Sequence, residues 1–330
     1  MSVGTGIAET LNYATEYSRA LSQAFPYVLN FGALYSTPNN GKYRWVNAKT
    51  IEIPSISTTG RVNADRDSIA TASRNYDNAW EQKTLTNERK WSTLVHPMDV
   101  DQTNMVTTIA NITQVFNDEQ KFPEMDAYTI SKIYADWKQT DDPLGTPVGG
   151  VLPKRTPDTT ELTVANVLSV FDALMLKMDN ERVPANGRIL YVTHEVKSML
   201  KNAQIDANNT LSRTLNVQSN NGTIDRVVSR LDEVQVIGVP ATLMKTVYDF
   251  TSGWKVGAGA AQINMMLVNP IAVITPVSYT FSRLDAPSAG SEGKFVYYEE
   301  SFEDVFILNK KSGAIQFNVT GGSSGSGSSN

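Results

Sequence analysis

Along residues 99–139, apolar side chains recur at four- and three-residue steps: Met105, Ile109, Ile112 and Phe116, then Ile130, Ile133, Tyr134 and Trp137. That spacing puts each set on one face of an α-helix, so two amphipathic halves are predicted with Pro123 between them. Pro123 either opens the second helix in its first turn, where a missing N–H costs nothing, or kinks one continuous rod. Such a rod would span roughly 55 Å at 1.5 Å per residue.

The same reading extends outward in both directions. Ile7, Leu11, Ala14, Ser18, Leu21 and Phe25 share one face, with Glu9, Glu16 and Arg19 off it, which predicts an amphipathic helix ending at Pro26. It must dock on its own domain or reach a neighbour. A turn follows at Thr37-Pro38-Asn39-Asn40-Gly41. From 42 to 53 the pattern switches to period two, with Tyr43, Trp45, Ile51 and Ile53 opposite Arg44, Thr50 and Glu52, the sign of a half-buried strand. Residues 84–95 read as its return. Between them, residues 55–78 are polar and charged, carrying Arg61, Asp65, Arg66, Asp67, Arg74 and Asp77. A two-stranded hairpin is marginal alone in water, so this extension needs another surface. It fits a mobile active-site lid, a solvated loop, or a projection ordered by a neighbouring copy.

A Pro/Gly-rich connector, Asp141 through Gly150 with Pro153 and Pro157 beyond, marks a domain boundary. Val164, Val167, Leu168, Phe171, Leu174, Met175 and Met178 then make a helical stripe, and 189–192 a short buried strand. Thr193 is placed to cap a helix whose first turn contains Val196. Further on the pattern predicts a turn at 220–222, a strand at 234–239 and an apolar run at 265–277 split by Asn269-Pro270. A loop at 282–294 and short strands at 295–298, 305–308 and 314–319 follow, the last two paired as a hairpin. The class is α+β, and because helix and strand do not keep alternating, a doubly wound sheet is not expected.

Composition narrows the function. The 330 residues carry a net charge of -5, against the basic balance of a general nucleic-acid binder. There is no cysteine, hence no disulfide frame and no thiolate metal site. Residues 1–14 lack the basic start and apolar block of a signal peptide, and no run is long enough to cross a membrane, so a cytoplasmic protein is expected. Residues 321–330 are almost wholly Gly and Ser, a flexible tail.

Chemistry is sparse. Of two histidines, His194 precedes Glu195 as in a zinc-protease helix, but Ser198 holds the place of the second ligand. His96 sits beside Pro97 at a strand end. A phosphate loop ending at Lys294 needs glycine where Ser288 stands and a hydroxyl where Phe295 stands, and Gly257-Ala258-Gly259 is followed by Gln262 rather than a third glycine. Gly321-Gly322-Ser323-Ser324-Gly325 spells a nucleophile elbow without the strand and helix that make one. Carboxylates such as Asp99 and Asp101, or Glu299 and Glu300, read as solvated charge. Neither a catalytic set, a cofactor nor a metal is expected. Trp45, Trp80, Trp91, Trp137 and Trp254 read as core or interface anchors.

In order, an amphipathic arm, a charged hairpin, a beam helix, an α/β unit and closing strands resemble the major capsid proteins of tailed bacteriophages, the Hong Kong 97 type. Leu85-Thr86-Asn87-Glu88-Arg89-Lys90-Trp91, running on to Asp99-Val100-Asp101, looks like the return strand of that family's extended loop entering its spine helix. Asn186-Gly187-Arg188-Ile189-Leu190-Tyr191-Val192-Thr193 looks like its first axial-domain strand, and residues 296–308 like its terminal strands. The resemblance implies an N-terminal arm at 1–41, an extended loop hairpin at 42–98 and a peripheral domain with spine helix at 99–160. It further implies an axial domain at 161–277, closing strands at 278–320 and a tail at 321–330. It implies a structural, non-enzymatic subunit that self-assembles as hexamers and pentamers into an icosahedral shell around a phage genome, located in the virion and assembled in the host cytoplasm. Its partners would be copies of itself, a separate scaffolding protein, a portal, a decoration protein and DNA touched without sequence specificity. Contacts between subunits are then expected at Trp45, Arg61, Asp65, Arg66, Asp67, Arg74, Asp77 and Trp91. The alternatives are an encapsulin-like compartment of the same fold and a soluble hydrolase with 55–78 as its lid.

Overall fold

The computed structural model describes residues 27–61, 74–102, 108–203 and 228–321. The helix expected at 7–25, the turn at 220–222, Met105, Asp65, Arg66, Asp67 and all but the first residue of the Gly/Ser tail lie outside the described residues. In chain order come helix α1 (Gly32–Tyr35), strands β1 (Arg44–Asn47), β2 (Thr50–Thr58), β3 (Tyr76–Thr84) and β4 (Glu88–Val95), then helices α2 (Pro97–Gln102), α3 (Ile109–Phe116) and α4 (Phe122–Gln139). Helix α5 (Val167–Asn180), strand β5 (Ile189–Thr193), helix α6 (His194–Ala203) and strands β6 (Arg230–Leu231), β7 (Val234–Val239), β8 (Tyr248–Asp249) and β9 (Lys255–Val256) follow. The chain closes with β10 (Gln262–Val268), β11 (Val273–Ile274), β12 (Val277–Asp285), β13 (Phe295–Glu303), β14 (Phe306–Ile307) and β15 (Ile315–Thr320).

The beam is continuous from α3 into α4 and spans about 45 Å at 1.5 Å per residue. Thr108 caps its start, its hydroxyl accepting the Asn111 N–H at 3.3 Å. Between the two helices lies one π-helical turn, Asn117–Lys121, in which the Phe122 N–H donates to the Asn117 carbonyl five residues back. Pro123 therefore neither breaks nor simply starts the helix. It sits in the first turn of α4, where the wider turn accommodates a residue with no N–H to give. The α4 stripe is fully buried, with Tyr134 and Trp137 each edge-on to Phe317 at 5.1 Å. On α3, Ile109, Ile112 and Phe116 are only half-buried.

Beside α4 lies a mixed five-stranded sheet in the order β15-β10-β5-β7-β6. Every residue of β5 is buried, as a continuous Ile-Leu-Tyr-Val-Thr run requires when both faces are covered. It runs parallel to β7 and antiparallel to β10. Helix α6 leaves β5 under the Thr193 hydroxyl, which accepts the Val196 N–H at 3.3 Å. Gly187, at φ 80, supplies the left-handed turn before β5. Helix α5 buries Val167, Val170, Phe171, Leu174 and Met178 into the same core.

Three sequence expectations change in the remaining strands. The return of β2 is β3, in register from Thr50 opposite Thr84 to Thr58 opposite Tyr76. Residues 88–95, expected to pair there, instead pair as β4 with β13. Period two reveals a half-buried strand but not its partner. The loop expected at 282–294 begins later, because β12 continues to Asp285 along β13. Residues 315–320 do not form a hairpin with 305–308: β15 pairs with β10, and β14 with β11.

Candidate assembly surface

A small core of Ile51, Ile53, Leu85, Ile274, Phe302 and Phe306 roots the β1-β2-β3 sheet on the body. Polar bonds fix the same root. The Ser278 hydroxyl donates to the Ala48 carbonyl, the Leu85 N–H to the Lys49 carbonyl at 2.7 Å, and the Lys83 ammonium to Asn309 at 3.3 Å. Beyond Ile53 the cover stops. Pro54, Ile56, Ser57 and Thr58 of β2 and Tyr76 through Trp80 of β3 are exposed, with Ile56 at 67%. Because β1 pairs only with the inner part of β2, this outer half is a bare two-stranded ribbon.

The ribbon is ordered by its own side chains. The Arg44 guanidinium lies 3.9 Å over the Trp80 ring and pairs with Glu52 at 2.8 Å, and the Gln82 amide donates to the same carboxylate at 2.7 Å. Those hydrogen bonds, Arg44 first, hold the Glu52 carboxyl below its ordinary range. Trp45, 40% exposed, meets Tyr43 edge-on at 5.8 Å. Arg61 is exposed near the tip. Arg74 donates to the Tyr76 carbonyl at 3.0 Å and lies 3.6 Å from the exposed Asp77. Trp91 is placed elsewhere: half-buried in β4, its ring stacks on Phe116 at 3.9 Å, so one face is occupied within the chain.

A second uncovered surface escaped the sequence reading. Strand β12 forms one edge of the β12-β13-β4 sheet, and its Val277, Tyr279, Phe281 and Leu284 are exposed. Tyr279 and Phe281 stack at 6.3 Å on one face, and Leu94 and Met98 are exposed at the end of β4 and the start of α2. The alternation Val277, Tyr279, Phe281 is a period-two signal that falls between the apolar run ending at 277 and the loop expected from 282, where no strand was expected. Long edge strands bearing aromatics are the kind of surface proteins normally cover.

Two clefts flank the beam. One, of about 580 Å³, has its charges largely paired across it: Arg89 with Glu124 at 2.6 Å, Lys121 with Glu299 at 3.1 Å and the Tyr128 hydroxyl to Asp304 at 2.8 Å. Burial pushes the Glu303 carboxyl up, and burial with the Glu299 carboxylate pushes the Tyr297 hydroxyl up to about 12. The other cleft, of about 670 Å³, is mainly apolar. Neither has a lining residue from β1, β2 or β3, so a lid formed by the hairpin has no pocket beneath it in either place. Among the described residues no group of three His, Asp or Glu could hold a metal ion.

No protein-family model matches the chain, and no curated protein is similar to it in sequence. Solved structures are similar to it in fold. A structure from Mycobacterium phage Che8 superposes with a TM-score of 0.60 at 11% identity, covering 91% of this chain and 94% of that one. The capsid structure of Cyanophage P-SCSP1u gives 0.60 at 11% identity over 93% and 92%, and the capsid of an empty GTA particle 0.54 at 12% over 97% and 99%. With the beam helix, the buried mixed sheet and the projecting hairpin in the same chain, the fold is the α+β, Hong Kong 97-like fold of phage capsid structures.

Proposed function

We propose that this chain is a major capsid subunit that assembles with copies of itself, as hexamers and pentamers, into an icosahedral shell around a phage genome. The observation that carries the reading is the rooted hairpin whose outer half, from Pro54 to Thr58 and Tyr76 to Trp80, stays exposed among the described residues, with the Lys310 ammonium on the Ile56 carbonyl at 3.0 Å and the Arg44 guanidinium over the Trp80 ring as contacts to it from outside the ribbon. A neighbouring copy supplies that cover. The exposed β12 edge is a second surface of the same kind, and the net charge of -5 suits a shell wall that meets DNA without reading its sequence.

In this reading residues 1–41 form the N-terminal arm and 42–98 the extended loop, with a peripheral domain at 99–160 built on the beam. An axial domain at 161–277 meets its copies at the capsomer centre, and residues 278–320 return to the peripheral domain. The subunit is structural rather than enzymatic and resides in the virion after assembly in the host cytoplasm. Scaffolding, portal and decoration proteins complete the set of partners. Trp45, Arg61, Arg74, Asp77 and Trp91 are the described residues expected at subunit contacts, with Asp65, Arg66 and Asp67 between Arg61 and Arg74 in sequence.

Deleting residues 61–77 tests this. Electron microscopy and light scattering should find a folded chain that makes no shells, where the intact chain makes shells, tubes or capsomer rings. Normal shells from the deletion would sink the proposal.

A further inference from the structure

Asparagine followed by glycine is the dipeptide in which a side-chain amide is most readily lost without an enzyme. With no Cβ on the following residue, its backbone nitrogen reaches the asparagine Cγ unhindered. The sequence holds three such steps, Asn40-Gly41, Asn186-Gly187 and Asn221-Gly222, of which the last lies outside the described residues. The fold treats the first two in opposite ways.

The Asn40 carboxamide is clamped at both ends. Its Nδ2 donates to the Tyr35 carbonyl at 3.0 Å and to Thr275 Oγ1 at 2.9 Å, and its Oδ1 accepts the Thr275 N–H at 2.9 Å. Attack on Cγ requires the group to swing, which breaks those bonds first. The Asn186 side chain is exposed in a turn and has no hydrogen-bond partner among the described residues. Gly187 stands at φ 80 with no heavy atom within 4 Å of where a Cβ would be, and its N–H is also without a partner among the described residues. The turn is held through its carbonyls. Asn269 Nδ2 donates to the Pro184 carbonyl at 3.2 Å and to the Asn186 carbonyl at 3.1 Å, and only the second of these bonds restrains the peptide between Asn186 and Gly187.

We propose that Asn186 is a site of spontaneous deamidation in the folded chain and that the fold protects Asn40 from the same reaction. The Gly187 nitrogen bonds to Asn186 Cγ, the Cγ–Nδ2 bond breaks, and ammonia leaves with the proton that the Gly187 nitrogen gave up, which closes a cyclic imide. Water then opens the ring. Opening at Cγ leaves aspartate, and opening at the main-chain carbonyl leaves isoaspartate, with the chain running through Cβ and Cγ. Either product adds one negative charge to the net charge of -5. The isoaspartyl form also lengthens the main chain by one carbon and turns the carbonyl that Asn269 holds into a carboxylate, just ahead of β5, in which every residue is buried. Water is the one co-reactant, and the reaction does not depend on whether the chain assembles.

The test compares the two asparagines in one sample. The full chain is incubated at mildly alkaline pH, folded and, separately, unfolded in urea. Peptide mapping reads the fraction of each asparagine converted, with isoaspartate told from aspartate by fragmentation. In the folded chain Asn186 should convert at least about tenfold faster than Asn40, with isoaspartate among its products, and in urea the two rates should converge. Equal rates in the folded chain would overturn the proposal. A folded-state ratio no larger than the ratio in urea would overturn it too, because local sequence rather than the fold would then set the difference. Aspartate without any isoaspartate at position 186 would overturn the imide step.

Discussion

The five-stranded sheet and the β2–β3 hairpin are built from the same kind of ladder, yet one is complete and the other is not. In the sheet, β5 is covered on both faces and its neighbours β10 and β7 bury most of their apolar side chains. In the hairpin, the ladder continues in perfect register to Thr58 opposite Tyr76 while cover ends at Ile53. Backbone hydrogen bonds alone do not explain such a strand's persistence, because each one contributes only about 1 kcal/mol net. The difference separates what the chain stabilises by itself from what it leaves for a second surface to stabilise.

That contrast can be broken most severely from the interior. Arg155 and Glu181 form a bidentate pair at 2.6 and 2.5 Å, with only 4% and 9% of the side chains exposed, and Arg155 also donates to Ser312. Arg155→Ala strands a buried carboxylate and should cost about 3–5 kcal/mol in a urea unfolding series. Leu190→Ala, in the middle of β5, should cost about 2–5 kcal/mol by the same measurement. Ile56→Ala in the bare hairpin should move stability by no more than about 0.5 kcal/mol while lowering the yield of assembled particles by light scattering. If Ile56→Ala destabilises the unassembled chain as much as Leu190→Ala does, the hairpin is covered from within and the contrast is wrong.

The smallest effect concerns pH. Burial raises the Glu303 carboxyl above its ordinary value, against the pull of Lys121. A carboxyl raised on folding holds its proton more tightly in the folded chain. Its contribution is therefore fully present below the ordinary carboxylate range and is lost as pH climbs through the raised value. Melting temperature should fall across that window, and Glu303→Gln should flatten the fall and raise stability at neutral pH. An unchanged slope would place the dependence on the other buried carboxyls that burial raises, Asp126 and Asp136.

Helices and their ends were legible from residue spacing because they are local. The stripe from Ile130 to Trp137, the cap at Thr193 and the buried run of β5 stand where the pattern put them. The α+β class and the irregular connector after Gln139 were equally readable, since each depends on neighbours a few residues apart. Pairing was not local. The alternation in Glu88–Val95 carries no record of whether its partner is β2 or β13, and 200 residues intervene before β13 supplies it. Exposure of Tyr279 and Phe281 belongs to the tertiary level for the same reason. Sequence marks a side chain as apolar, but only the packing of every other element decides whether anything is left to cover it.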